Sequence, residues 1–274
     1  PYLRLLAVLF SLFPTLAVSV SLVNWLVTNL VPPRILPKLD FSEGVPELSR
    51  TLVVIPAMLT SEAEVRSLAG QLERHYLGNA DPHIGFALLT DFADAPDEVM
   101  PEDEFLLQLV QQRIAELNAA YPGKPFFVFH RRRLWNPQEG VWMGWERKRG
   151  KLHELNRLLR GATDTSFLVQ EGNLDVLSRV SKVITLDADT ILPRGAAARM
   201  SGTLAHPLNQ ARFDPATGQV TAGYTVLQPR TEIQPMSANQ SLFTRVFAGD
   251  TGIDLYTRAV SNVYQDLFGE GIFV

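Results

Sequence analysis

The pattern of apolar and polar positions changes character once along this chain. Across residues 5–31 no charged side chain interrupts a run dense in Leu, Val, Phe and Ala. As a helix such a run crosses roughly 30 Å of hydrocarbon, and it outlasts the short apolar core of a secretory signal. Residues 1–33 are therefore predicted to form a transmembrane helix. Trp25 suits an interfacial position, and Arg34 and Lys38 follow the span, which predicts a downstream domain on the cytoplasmic side of the membrane. Arg4 on the opposite flank pulls against that orientation. Pro14 predicts a kink or a boundary between two shorter segments.

After a Pro-containing linker over 34–49, short apolar runs alternate with helical spacing. Residues 51–56 are a β-branched run of the kind buried in parallel sheets. Thr60 or Ser61 can cap the helix that follows, with Glu62 and Glu64 in its first turn. A second strand over 84–90 closes at Asp91. Phe105, Leu106, Leu109, Ile114 and Leu117 mark a helix across 103–120, and 126–129 reads as a third strand. A helix over 152–159, a strand over 182–186 ending at Asp187, and a further strand over 224–227 complete the series. Alternation of this kind predicts an α/β fold with a mostly parallel sheet flanked by helices. The stretch 131–149 is the least regular and holds Trp135, Trp142 and Trp145 among many charges. It reads as a functional loop or an insertion packed on the sheet, and the large area a tryptophan buries favours packing. Both chain ends read as mid-element, which predicts a piece of a longer membrane protein.

Composition narrows the chemistry. A hydrophobic share of 46% over 274 residues supplies a sizeable core. The net charge of −4 argues against a general nucleic-acid binder. The absence of cysteine removes disulfides, thiol nucleophiles and thiolate metal sites, and it fits a reducing compartment. Five scattered histidines show no zinc-like spacing, so a metal is expected on oxygen ligands, as Mg or Mn.

The candidate chemistry lies at strand ends. Asp187-Ala188-Asp189-Thr190 follows an apolar strand, and open α/β sheets bind ligands at such C-terminal tips. On an extended chain the two carboxylates point the same way and can hold a divalent cation, and through it a diphosphate. Asp and Thr after a strand also form turns and caps, so context has to carry the reading. Phosphatases of the haloacid dehalogenase class share an Asp-x-Asp, but their Thr stands two residues after the second Asp and their motif opens the domain. Here Thr190 follows directly and the motif lies deep in the chain. Asp91, at another tip, can accept hydrogen bonds from a base or ribose, or cap a turn. The run Arg147-Lys148-Arg149-Gly150-Lys151 brings cations to a helix start, where Gly150 permits close approach and the dipole favours an anion. A solvated charge run, or a patch for anionic lipid that also uses 131–133, would draw on the same residues.

The series Val53-Val54-Ile55-Pro56, Leu88-Leu89-Thr90-Asp91, Gly150-Lys151 with Leu155-Asn156, and Asp187-Ala188-Asp189 resembles the inverting GT-A glycosyltransferases that include cellulose synthase. The longer strings HRRRLWNPQEGVWMGWERKRGKLHELNRLLRG, VITLDADTILP, GYTVLQPR and YQDLFGEG are similar to the glycosyltransferase domain of cyclic β-1,2-glucan synthases. The resemblance implies a GT-A, Rossmann-like domain over 50–274, truncated at its C-terminus. It implies a metal-dependent inverting hexosyltransferase that uses UDP-glucose, with Mg or Mn, to elongate a cyclic β-1,2-glucan precursor. Its partners would be UDP-glucose, a glucan acceptor, the membrane and the remaining domains of a larger synthase.

Carried over residue by residue, Asp91 would meet the uridine, Lys151 the nucleotide or its phosphates, and Asp187 and Asp189 the ribose and metal. The family's catalytic base would lie beyond Val274, and within the chain Asp266 and Glu270 are weaker candidates. A chain built on the protein itself would need a nucleophilic hydroxyl, for which Tyr224, Tyr256 and Tyr264 are available. The competing expectation is a membrane-tethered, catalytically inert domain that binds a nucleotide sugar or anionic lipid. Retention of Asp91, Lys151, Asp187 and Asp189 argues against a dead donor site.

Overall fold

The computed structural model describes residues 2–31 and 35–229, with Ser241 and Val263. Helix α1 (Tyr2–Leu30) runs unbroken through Pro14. Its segment Phe10–Val27 has a mean hydropathy of 1.7, long and apolar enough to cross a membrane. Polar side chains in it turn back on the helix: Thr15 Oγ1 donates to Ser11 O at 2.7 Å and Asn29 Nδ2 to Trp25 O at 2.8 Å. Those donors are thereby satisfied without water, as a hydrocarbon surrounding demands. Phe10, Phe13 and Leu16 are exposed apolar side chains of this helix.

Residues Pro37–Tyr224 form a separate compact unit. In chain order it contains β1 (Thr51–Leu59), α2 (Glu62–Gly78), β2 (Ile84–Phe92), α3 (Asp103–Ala120), β3 (Phe126–Arg131), the paired strands β4 (Leu134–Asn136) and β5 (Val141–Met143), and α4 (Arg147–Leu159). Then follow β6 (Phe167–Glu171), β7 (Lys182–Thr185), α5 (Ala196–Ala205) and the short pair β8 (Arg212–Phe213) and β9 (Val220–Ala222). Five strands make the central sheet in the order β6-β3-β2-β1-β7. The inner pairings are parallel, and β6 joins antiparallel at one edge.

Side chains on β1, β2 and β3 alternate between two buried faces, as a period of two requires. Val53, Ile55, Phe86, Leu88, Phe126 and Val128 pack with α2, α3 and α5, whereas Leu52, Val54, Ala87, Leu89, Phe127 and Phe129 pack with Leu155 of α4 and Leu177. Helix α2 starts at Ser61, whose side chain accepts the Glu64 N–H at 3.2 Å. The α/β class and the mostly parallel sheet expected from the sequence are observed.

Several boundaries differ from expectation, each for a local reason. Strand β2 continues to Phe92, so Asp91 lies inside it beside Met58 of β1, not on a free tip. Strand β3 likewise reaches Arg131. Strand β7 stops at Thr185, and 187–190 form a turn in which the Thr190 N–H donates to Asp187 O at 3.0 Å. The extended geometry expected to align Asp187 with Asp189 is therefore replaced by a turn. Helix α4 begins at Arg147, and the irregular stretch before it contains the β4–β5 hairpin with Trp135 opposite Trp142. The strand expected over 224–227 is absent: Tyr224 makes an isolated bridge to Gln210, and 225–229 carry no strand.

Phe86 is fully buried, with the Tyr76 ring edge-on at 5.8 Å and Phe126 at 6.4 Å. Phe86→Ala is expected to cost about 3–5 kcal/mol of stability, measured by equilibrium chemical denaturation of the detergent-solubilised chain.

Candidate functional site

A buried cluster of charges sits where β1, β2, β3 and α4 meet. Arg131 grips Asp91 in a two-point contact, Nε to Oδ1 and Nη2 to Oδ2, each at 2.8 Å. Lys151 Nζ lies 3.1 Å from Asp91 Oδ2 and donates to Ala57 O at 2.7 Å. Glu154 completes the set: its Oε2 is 3.7 Å from Arg131 Nη1 and accepts the Ser166 hydroxyl at 2.6 Å. All four side chains are buried. Two acids thus face two bases, and the planar guanidinium fork matches a carboxylate in a way that a lysine could not. Burial pulls the Lys151 pKa below that of an ordinary lysine, against the opposing pull of Asp91.

The same arginine shapes the chain that leads into α4. Its Nη1 donates to Trp145 O at 3.0 Å and its Nη2 to Arg147 O at 3.1 Å. Between those carbonyls, Glu146 and Arg147 take left-handed backbone angles, φ 53° and 44°, which side-chain-bearing residues adopt at a cost of order 1–3 kcal/mol each. Glycines let this loop come close. A Cβ on Gly144 would lie 2.5 Å from Asp91 Oδ2, and one on Gly150 would lie 1.9 Å from Trp145 O. Gly150 therefore allows a close approach of protein to protein, where the sequence suggested an approach to phosphate.

The expected site residues fall into two groups around the first turn of α4. Asp91 and Lys151 are brought together, but Asp91 does not stand free to meet a ligand, since Arg131 engages both of its oxygens. One turn earlier, Lys148 pairs with Asp187. Lys148 and Asp187 are 54% and 59% exposed, so their pair is worth at most about 1 kcal/mol and is easily exchanged. Asp189 is exposed in the turn that follows β7. Asp266, Glu270, Tyr256 and Tyr264 lie outside the described residues. Arg131 and Glu154 are the participants that sequence reading did not assign to the site, and Lys148 was read only as one of the cations of the run 147–151. The β2–β3 register, with Thr90 beside His130, would have put Arg131 next to Asp91.

The basic lipid-binding patch expected over 131–133 and 147–151 is broken up. Arg131 and Lys151 are buried in the cluster, and Arg133 is buried against Asp103 while donating to Ala93 O at 2.7 Å. Arg147 pairs with Asp94 and Glu139, and Arg149 with Glu146. The tryptophans also depart from the packing expectation. Trp135 and Trp145 remain 49% and 45% exposed and line a cleft of about 500 Å³.

His130 adjoins the cluster, with Nδ1 2.9 Å from Thr90 Oγ1 and its ring 4.1 Å from that of Phe92. Burial pushes its pKa down to about 4, although Asp91 pulls the other way. An unfolded histidine takes up its proton near pH 6.5, so between that pH and 4 the unfolded chain binds more protons than the folded one. Stability is therefore expected to fall as pH falls through this window, by ~3 kcal/mol in all from this group. Denaturation midpoints from pH 7 to 4.5 should show a shallower decline in His130→Gln than in the unaltered chain. Arg131→Met leaves Asp91 and Glu154 buried without their main partner, and a loss of about 3–5 kcal/mol is expected in the same measurement. Arg131→Lys should recover little of it.

No family model matches the chain. Over 98% of its length it is 46% identical to cyclic beta-(1,2)-glucan synthase NdvB of Rhizobium meliloti (strain 1021). It spans 10% of that protein's length. The resemblance read from the motifs stands on this identity: the chain is the counterpart of one segment of a cyclic β-(1,2)-glucan synthase.

Proposed function

We propose that this chain is the donor-binding part of an inverting glucosyltransferase, which moves glucose from UDP-glucose onto a growing β-1,2-glucan. The observation that carries the reading is the convergence on one helical turn. Lys151 reaches Asp91 of β2, and Lys148 reaches Asp187 just beyond β7, on either side of β1 at the C-terminal edge of a parallel sheet. That edge is where such sheets receive nucleotides. The positive residues beyond α1 support a cytoplasmic placement of the domain.

In this reading the buried cluster fixes the start of α4, and the exposed pair does the exchanging. Lys151 has three N–H donors and uses two on Ala57 O and Asp91, which leaves one for a nucleotide oxygen. Asp91, with both oxygens engaged by Arg131, acts on the uridine end indirectly, by holding Lys151 and the start of α4 in place. Lys148 leaves Asp187 for a phosphate oxygen, at little cost because both are exposed. Asp187 and Asp189 offer hard oxygen ligands in a solvent-facing turn, which suits Mg²⁺ or Mn²⁺. Among the described residues no group of three acidic, His or Cys side chains gathers around them, so diphosphate and water would complete the shell. The bound ion would neutralise charge on the departing diphosphate.

Transfer with inversion is a single displacement. An acceptor hydroxyl attacks the anomeric carbon opposite the diphosphate, the new C–O bond forms as the bond to UDP breaks, and a carboxylate takes the hydroxyl proton. Asp266 and Glu270 remain the in-chain candidates for that base.

Calorimetric titration tests the reading. UDP-glucose is expected to bind at least tenfold more tightly with Mn²⁺ than without, and Asp189→Asn should remove most of that difference. Lys148→Ala should weaken binding severalfold with the metal present. Binding that ignores both Mn²⁺ and Asp189→Asn would overturn the assignment.

A further inference from the structure

The cleft beside the start of α4 is unlike the surface around it. It is lined by Trp135 and Asn136 of β4, by Glu139 in the hairpin turn, and by Trp145, Glu146 and Arg147 at the entrance to α4. Two indole rings left half in water are costly for a protein to expose, and both are fixed in place. The Trp142 ring lies 5.8 Å from that of Trp135 at 59°, and the His153 ring lies 5.9 Å from that of Trp145 at 68°. The Trp145 backbone is further held by Arg131, and the two left-handed residues after it carry Glu146 and Arg147 to the rim. Rigid, exposed aromatic rings ringed by hydrogen-bonding groups form a binding surface, not a leftover of packing.

Charge narrows the ligand. Arg147 is already neutralised by Asp94 at 2.7 Å and Glu139 at 3.0 Å, and Glu146 adds a second carboxylate to the lining. Among the described residues of the lining, a diphosphate or an anionic lipid headgroup would meet two acids and, in Arg147, a cation that already pairs with two carboxylates. A pyranose, by contrast, offers an apolar C–H face to an indole ring and a rim of hydroxyls to carboxylate, amide and guanidinium groups.

We propose that this cleft is a subsite for the glucan chain: a neutral β-linked glucan segment stacks on Trp135 and Trp145 while Asn136, Glu139 and Glu146 hydrogen-bond its hydroxyls. The inference rests on the transferase reading and adds the place of the acceptor. Arg131 links the two sites, since the guanidinium that holds Asp91 also holds the carbonyls of Trp145 and Arg147.

The test is paired calorimetry on the intact membrane protein in detergent, with β-1,2-linked gluco-oligosaccharides as one titrant and UDP-glucose with Mn²⁺ as the other. Trp135→Ala and Trp145→Ala should each weaken oligosaccharide binding tenfold or more while donor affinity stays within twofold. Trp145→Phe, which keeps a flat ring and guards against misfolding, should retain most of the glucan affinity. Absence of oligosaccharide binding to the unaltered protein would overturn the subsite, as would unchanged affinity in the double alanine variant. Loss of UDP-glucose affinity in the tryptophan variants would overturn it too, by giving the cleft to the nucleotide. A protein that binds the oligosaccharide but no UDP-glucose would instead remove the transferase reading and leave the subsite standing.

Discussion

The bonds between Arg131 and Asp91 tie β3 to β2, and through the other arms of the guanidinium they tie both strands to the loop before α4. Removing a guanidinium and a carboxylate from water is expensive, and their attraction repays it when geometry is good and the remaining donors are used. Here every arm of the guanidinium is used, on Asp91, Trp145 O and Arg147 O. Lys151 and Glu154 balance the charge from α4. The strand register, the loop before α4 and the position of its first turn are consequently one cooperative arrangement. A change to any member disturbs the rest.

That arrangement separates two kinds of electrostatics. Inside, the four charges are buried, mutually satisfied and fixed. Outside, Lys148 with Asp187 and Arg147 with Asp94 and Glu139 form exposed ion pairs that add little to stability. The buried frame is rigid, while the exposed pairs around it are only loosely held. The left-handed backbone at Glu146 and Arg147 belongs to the frame, because arginine bonds to the flanking carbonyls hold it.

Much of the sheet was legible from the sequence because β1, β2 and β3 are buried on both faces and so read as continuous apolar runs. Helix α2 was legible through its Ser61 cap and early acids. Helix α5 was not, since Gly195 precedes it and the N–H of Ala197 is capped by Asn79 Oδ1 at 3.0 Å, from a residue far away in sequence. Strand β6 escaped notice because it is a short edge strand whose Gln170 and Glu171 carry no apolar signal. At the site, residue types pointed to Asp91, Lys151, Asp187 and Asp189, and two contacts in space join Asp91 to Lys151 and Asp187 to the neighbouring Lys148. Their division into buried and exposed groups depends on Arg131, a partner that no local spacing announces. The tryptophans were misjudged because the β4–β5 hairpin leaves Trp135 exposed and the loop entering α4 does the same for Trp145.

The hairpin tip has a different freedom from its base. Residues 137–140 are exposed, and the space around Gly140 is open, although its φ of +67° keeps that one position for glycine. The base is pinned by the Ala95–Trp142 bridge and by the Trp145 carbonyl. Changes in the length of the tip can therefore leave the buried ionic cluster undisturbed, whereas a change at Glu139 reaches Arg147 at the start of α4. Tip and frame are thus separable parts of one segment: four solvent-facing positions in the first, a buried ionic cluster in the second.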